Sequence, residues 1–500
     1  MELFLTLCAL LAFFSIALKI VRKTKLVKLP PGPRPLPIIG NLHQLNGSLP
    51  HRILTDLAKK YGPLMHLQLG EVSTVIVSSP AVAKEVMKDH DIIFCYRPLL
   101  LSPAILNYGG TDIAFAPYGE YWRQLRKICT IELLSSKRVQ TFRSIREQEV
   151  SNLFRSIKSA EGSVVNLSKM IYSLTYSITA QAAFGKESKY QDKFISVMQD
   201  AIKLMGGFNI ADVYPSIKIL EKITGIRHKL EETHNQIDEI VQNILIEHKA
   251  KRAESKLGNR GAKEDLVDVL LNIQSSGEFE PPLTDDNLKA VIYDIFSAGG
   301  ETSSTTVIWA MSEMIRNPKV MKKAQDEVRE VFAGNGNVDE SRLHELKYLQ
   351  AVIKETMRLN PAVPLLLPRE CSEHCQINGY DVPAKTRVIV NAWAIGRDPK
   401  QWTEPEKFKP DRFLDSEIDF RGKTFSFIPF GAGRRICPGI SFALPLVELP
   451  LAQLLYHFDW KLPGQSKPDE LDMTEIFGLT VGRKHDLNLV PIPYRPCSVL

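Results

Sequence analysis

Between Pro282 and Pro318 lie 35 residues without a proline, in a chain that holds 31 prolines. Thr284 precedes Asp285 and Asp286, an N-cap residue followed by two acids in the first turn. Pro318 sets the other end. The window predicts one helix over residues 283–317. At ~1.5 Å per residue it is about 50 Å long, so any domain containing it is built around it. Its middle reads AGGETSSTT, residues 298–306. Gly299 and Gly300 each cost about 1 kcal/mol in a helix interior. The plain explanation of a glycine pair is close packing against another helix. The competing one rests on Glu301 and Thr302, which follow directly between apolar flanks. An acid and an alcohol beside a thinned turn suggest a groove where something small and polar is handled.

The remainder predicts a mainly α fold with small β-sheets (α+β). LMHLQLGEVSTVIVSS, residues 64–79, alternates around Gly70-Glu71 as a hairpin does. Helical patterns dominate to about residue 360. The charged, glycine-containing residues 251–265 predict a surface loop. Short β-branched runs return at 376–398 and 477–491. The chain shows no internal repeat and no usual linker, and 500 residues can bury one large core.

The formal charge of +6 does not mark a nucleic-acid binder. Lys19, Arg22, Lys23, Lys25, Lys28 and Arg34 fall within sixteen residues that hold no acid, and without them 57 basic residues balance 57 acidic ones. This cluster follows the apolar, uncharged run 3–18. With Ile20 and Val21, and Lys19 snorkelling, the run reaches the ~17–25 residues of a membrane span. A cleaved signal peptide carries its positive charge before the apolar run; here Glu2 precedes it and no A-x-A site appears. The charge order places the N-terminus across the membrane and the rest in the cytosol. Residues 1–21 are therefore expected to be a transmembrane signal-anchor. Residues 22–37, ending in LPPGPRPLP, are expected to be a basic, proline-rich link, stiff and non-helical. Residues 38–500 are expected to form the single domain.

Seven cysteines, an odd number without a CxxC pair, argue against a disulfide framework and a structural zinc site. Several short patterns are weak alone. Glu355 and Arg358 share a helix face at i,i+3. Arg412 stands in KPDRF. Trp122 and Arg126 share one face of YWRQLRK, while Arg123 and Lys127 share the next. Cys437 is different. FGAGRRICPG places it at a glycine-rich turn, with Pro438 suited to open a helix. There free N–H groups and the helix dipole stabilise a thiolate. The glycines let backbone approach a flat ligand, and Arg435 is placed to reach an acidic group on it. A buried structural cysteine is the plain alternative.

Together these patterns resemble a cytochrome P-450, a thiolate-haem monooxygenase. FxxGxRxCxG is matched by Phe430, Gly433, Arg435, Cys437 and Gly439. ExxR is matched by Glu355 and Arg358, and PxRF by Pro410, Arg412 and Phe413. The central-helix motif is matched by Ala298, Gly299, Glu301 and Thr302, and WxxxR by Trp122 and Arg126. The resemblance covers the whole chain, and the wording of PFGAGRRICPG and FAPYGEYWRQLRK is similar to plant microsomal forms of the 71 clan.

The resemblance implies one large cytochrome P-450 domain holding haem b, with Cys437 as the iron ligand. It implies Trp122, Arg126, Arg369, Arg435 and Arg97 around the haem propionates, with Phe430 beside the ligand loop. Glu355, Arg358 and Arg412 are implied as a buried structural triad. Thr302 and Glu301 are implied to handle oxygen and protons. The chain has no G-x-G-x-x-G after a strand, so NADPH and flavins are implied only through a separate cytochrome P-450 reductase in the endoplasmic reticulum membrane. Arg123 and Lys127 are expected to help dock it.

The resemblance places the pocket at Leu101, Ile105, Ile113, Phe208, Asp294, Ala298, Val363, Leu365, Leu366, Phe477 and Leu479, in segments without Arg or Lys. Such a site suits a small hydrocarbon-like substrate. The reading is hydroxylation of a terpenoid with O2 and onward oxidation to a ketone. The alternatives are a plant alkaloid or phenolic anchored by Asp112, Asn107 or Asp294, and an O2-independent haem-thiolate isomerase or dehydrase. Pro445 and Pro450 after Cys437 predict a kinked or irregular helix. Gly300 is expected to widen the groove.

Overall fold

Thr284 does cap the central helix. Its Oγ1 accepts from Asn287 N at 3.2 Å, and Asn287 Oδ1 accepts from Thr284 N at 3.0 Å. This capping box starts a helix that runs Asp285–Arg316. The computed structural model describes residues 28–45, 47, 49–185, 191–206, 209–255, 264–277, 279–334 and 336–494. The expected anchor lies outside the described residues.

Five helices position the site: α1 Glu120–Ile128, α2 Leu167–Phe184, α3 Asp285–Arg316, α4 Lys347–Leu359 and α5 Ile440–His457. Helix α3 is the axis. From Ser303 to Ile315 every residue is buried, which a helix tolerates only when neighbours surround it. Helices α2, α4 and α5 all pack on it. The rings of Phe296 and Phe194 stack at 4.2 Å and fix its N-terminal half against the adjoining helices.

The hairpin forms as its alternation predicts. Strand β1 Leu64–Leu69 pairs antiparallel with β2 Val72–Val77 in register Leu64↔Val77. A Cβ on Gly70, at φ +58°, would meet Val213 O at 2.5 Å, so both the turn and this contact require glycine there. Further strands β3 Arg369–Glu370 and β4 Arg387–Val390 complete a sheet of order β1-β2-β4-β3, with β2 and β4 parallel. At about 56% helix and 10% strand the fold is mainly α with small sheets, in a single domain.

One local expectation changes. Helix Ile226–Ser255 carries on into the segment expected to be a loop from residue 251; residues 256–263 lie outside the described residues. Helix α5 continues through Pro445 and Pro450 without ending at either, although each proline leaves a carbonyl one turn back without its intrahelical donor. Residues 28–37 are non-helical but docked on the domain: Pro31 O accepts from His66 N at 2.9 Å, and Lys28 N donates to Asp381 Oδ2 at 2.8 Å.

Candidate active site

Cys437 sits just ahead of α5. Its N–H donates to Phe430 O at 2.9 Å, and its Sγ accepts from Gly439 N at 3.4 Å. The loop before it turns on Gly431 and Gly433, both near φ +70°. A Cβ on Gly433 would fall 2.1 Å from Met87 O, so that position admits only glycine. Phe430 packs edge-on against Phe420 at 5.2 Å and holds the loop to the core. Cys437 is half-buried by area, yet burial pushes its thiol up, opposed by the Gly439 N–H and Arg126. A sulfur that borders open space while surrounded by protein lines an internal cleft.

The expected arginines gather beside it. Arg126 Nη2 donates to Ile436 O at 2.5 Å. Arg435 donates to the carbonyls of Cys95 and Ala116 at 2.8 and 2.6 Å, with its guanidinium 4.1 Å from the Trp122 ring centroid. Trp122 Nε1 donates to Ile113 O at 2.9 Å. Arg97 donates to Ala114, Leu367 and Pro368 carbonyls at 2.8–2.9 Å. Arg369 reaches Ala432 O at 2.9 Å and Asp91 Oδ1 at 3.4 Å. Asp91 was not legible in the sequence: it also accepts from Arg434 N at 2.8 Å and ties the cysteine loop to a segment 343 residues upstream. Among the described residues, Arg97, Arg126 and Arg435 make no ion pair. Burial and mutual repulsion push Arg97 far down and Arg435 to about 10. Buried guanidiniums in excess of carboxylates, next to a thiol on a cleft, fit a flat iron complex that carries two carboxylates of its own.

Glu355, Arg358 and Arg412 also meet. Arg358 grips Glu355 through Nε and Nη2 at 2.7 and 2.8 Å with both side chains fully buried, and Arg412 Nε adds a bond of 3.0 Å. Arg358 then spans to the carbonyls of Gly396 and Pro405 at 2.6 and 2.7 Å. The triad thereby clamps α4 to the long loop that leads to Cys437.

On α3 the acid and the alcohol diverge. Glu301 is buried; it accepts from Thr480 Oγ1 at 2.9 Å and Tyr176 OH at 3.1 Å. Burial raises its carboxyl, and these bonds oppose the rise. Thr302 is half-exposed and donates to Ala298 O at 2.8 Å, and Ala298 itself is exposed in mid-helix. Thr302 and Ala298 therefore border open space on one side of α3. The glycines do not widen it. A Cβ on Gly299 would meet Thr179 Cγ2 at 3.2 Å, and one on Gly300 the Tyr176 ring. The pair is a seam for close approach of α2.

Of the expected pocket residues, Val363, Leu365, Leu366, Phe477 and Leu479 line an inner chamber of about 90 Å³, and Leu101 lines an outer groove of about 1040 Å³. Neither space is lined by Cys437 or Thr302. Phe208 lies outside the described residues. Ile105, Ile113 and Ala298 line neither space. Asp294 is drawn inward: it accepts from the N–H groups of Ile113 and Ala114 at 2.8 and 3.1 Å and from Asn107 at 3.2 Å. Asn107 also donates to Asp112 at 2.5 Å. The three proposed polar anchors are thus engaged with one another and with backbone. The expectation of a lining without a basic residue is corrected, because Arg387, on β4 and outside the segments considered, borders both spaces.

A family model described as Cytochrome P-450 matches residues 30–487. Tabersonine 6,7-epoxidase isoform 1 of Catharanthus roseus is 56% identical over 100% of this chain and 99% of its own. Premnaspirodiene oxygenase of Hyoscyamus muticus is 54% identical over 94% and 93%. A solved zebra fish cytochrome P-450 structure with abiraterone superposes at a TM-score of 0.76, with 27% identity over 90% of this chain and 100% of that one. The chain therefore belongs to the cytochrome P-450 family, whose cofactor is haem, and is similar to its plant 71-type members.

Proposed function

We propose that this oxidoreductase is a haem-thiolate monooxygenase that hydroxylates an apolar terpenoid, with RH, O2, NADPH and H⁺ giving ROH, H2O and NADP⁺. The observation that carries the chemistry is the half-buried Cys437 beside Arg97, Arg126 and Arg435, which make no ion pair among the described residues. When bound, haem supplies the iron at which O2 is activated. Cys437 Sγ holds that iron, with Gly439 N–H and Arg126 favouring its thiolate. Arg97, Arg126, Arg369 and Arg435 N–H groups would hold the two carboxylates; Trp122, whose N–H is spent on Ile113 O, backs Arg435 with its ring, and Phe430 braces the loop. Thr302 Oγ1, on the less buried side of α3, spends its own proton on Ala298 O and keeps its lone pairs free to accept from a water or bound group, which orients that group for proton transfer. Burial raises the carboxyl of Glu301, the residue before it on α3, against the hydrogen bonds from Thr480 and Tyr176, and that direction suits Glu301 to take part in the proton relay.

The leucine, valine and phenylalanine lining of the inner chamber supports a hydrocarbon skeleton over a polar one. A buried guanidinium at its edge disfavours the protonated amine of an alkaloid. Electrons come from a membrane-bound, NADPH-dependent flavoprotein reductase. Arg123 and Lys127, both exposed on α1, face away from Trp122 and contribute to its docking surface. Residues 1–21 anchor the chain, single-pass, in the endoplasmic reticulum membrane, and the residues after the link work on its cytosolic side.

Expression with a plant reductase in yeast membranes, fed panels of mono-, sesqui- and diterpenes and of alkaloids and phenolics, tests the reading. Terpenoid alcohols or ketones formed only with NADPH and O2 are expected. Oxidation of alkaloids or phenolics with every terpene returned untouched overturns the terpenoid assignment. Turnover without O2 overturns the monooxygenase.

A further inference from the structure

Arg387 opens strand β4 and shares a face with Ile389, two residues on. Both side chains border the inner chamber, while Arg387, Asp212 and Leu100 also border the outer groove. These residues therefore stand where the solvent-side groove meets the apolar interior. Arg387 is only 8% exposed. Its Nη2 donates to the backbone carbonyl of Asp212 at 3.0 Å, but its Nε is buried without a hydrogen-bond partner. The Asp212 carboxylate does not neutralise it at close range: Asp212 Oδ1 accepts from Leu101 N at 2.7 Å, and Arg387 makes no ion pair among the described residues. Glu370, across the sheet from Arg387, is bound by Lys385 at 2.9 Å. A buried cation with an unused N–H is costly unless something arrives to use it.

We propose that Arg387 is a substrate-binding residue, which holds a carboxylate or carbonyl oxygen on the end of the substrate that stays at the groove while the other end enters the apolar chamber. The inference rests on the monooxygenase reading above and modifies its substrate: the hydrocarbon skeleton in the chamber carries an oxygen function at its groove end, as in a terpenoid acid or ketone. Charge-assisted bonds from a guanidinium suit such an oxygen. Burial, which pulls the guanidinium down from its usual range, makes the contact more valuable once formed.

The test uses the full-length, haem-loaded protein and probes that do not depend on knowing the substrate. Imidazole-capped alkyl chains of graded length bind through the imidazole to the haem iron, and their other end is a methyl group, a methyl ester or a carboxylate. Dissociation constants come from the Soret difference spectrum. At the best-fitting length the acid is expected to bind wild type about tenfold more tightly than the alkane, with the ester between. Arg387→Met is expected to erase that preference and leave alkane binding unchanged. Arg387→Lys is expected to keep part of it. The carbon monoxide spectrum of each variant checks that haem is seated. An acid that binds no more tightly than the alkane at any length overturns the proposal, as does a preference that survives Arg387→Met. A terpene panel returned untouched in yeast ends the terpenoid reading and leaves this preference standing, so the two failures are distinct.

Discussion

A Cβ placed on Gly300 would fall 2.5 Å from Cδ1 of Tyr176. The Tyr176 hydroxyl in turn donates to Glu301, the next residue along α3, at 3.1 Å. The glycine therefore positions the tyrosine that positions the acid. Gly300→Ala gains about 1 kcal/mol of helix propensity but overpacks a buried seam, which costs about 1–3 kcal/mol. A lower Tm than wild type is expected by calorimetry. Tyr176→Phe removes a bond that holds the Glu301 carboxyl down, so an ionisation in the pH profile of turnover is expected to move to higher pH.

Cys437→His exchanges a thiolate for an imidazole. The reduced, carbon monoxide-bound protein is expected to lose the thiolate-type Soret band, and turnover is expected to stop. A variant that retains both removes Cys437 from the iron.

Thr302→Ala deletes the half-exposed hydroxyl on α3 and leaves the buried Glu301 network in place. Haem and substrate binding are expected to persist, while a larger share of NADPH oxidation ends as peroxide. Product formed per NADPH is the measurement, and an unchanged ratio excludes Thr302 from proton handling.

Asp112 and Asp294 form a buried carboxyl pair; desolvation pushes Asp112 up to about 6 and Asp294 well above the ordinary range. A carboxyl raised on folding stabilises the fold fully at pH below its unfolded value. That contribution is lost as pH rises through the folded value. The Tm of wild type is therefore expected to fall, relative to Asp112→Asn, as pH is raised through about 6. Parallel Tm curves for the two proteins across that range refute the shared-proton pair.

Arg123 and Lys127 are exposed on α1, with Arg123 paired locally to Glu120. Their joint reversal to Glu is expected to slow reduction by the flavoprotein several-fold at low salt, and the difference from wild type is expected to shrink as salt screens it. Stopped-flow reduction that is equal in both proteins at low salt rules out this docking face.

The features legible in the sequence were those carried by neighbours in the chain. Thr284 and Asn287 cap a helix they belong to, and residues 64–77 alternate because adjacent strands share one core face. The motifs that named Glu355, Arg358, Arg412 and Cys437 were equally local, and the fold does bring the triad together. What escaped notice depends on contacts between distant segments. Arg387 meets Asp212 across 175 residues, and nothing in RVIV reveals that its first side chain borders a cavity. Asp91 reads as one acid among 57 until Arg369 and Arg434 converge on it. The glycine pair was ambiguous for a related reason, since only the position of Tyr176 decides between a seam and a groove.

Arg435 donates to the carbonyls of Cys95 and Ala116, 340 and 319 residues upstream, and the Cys437 loop closes on Met87 and Asp91. Half of this cradle is made early by the ribosome and the other half near the end of synthesis. A nascent chain cannot present both halves until residue 437 of 500 has been translated, so the cofactor is taken up by a nearly finished protein. Truncations that stop short of Arg434 leave the carbonyls of Cys95 and Ala116 without Arg435 and Asp91 without Arg434, so the early half of the cradle stays open.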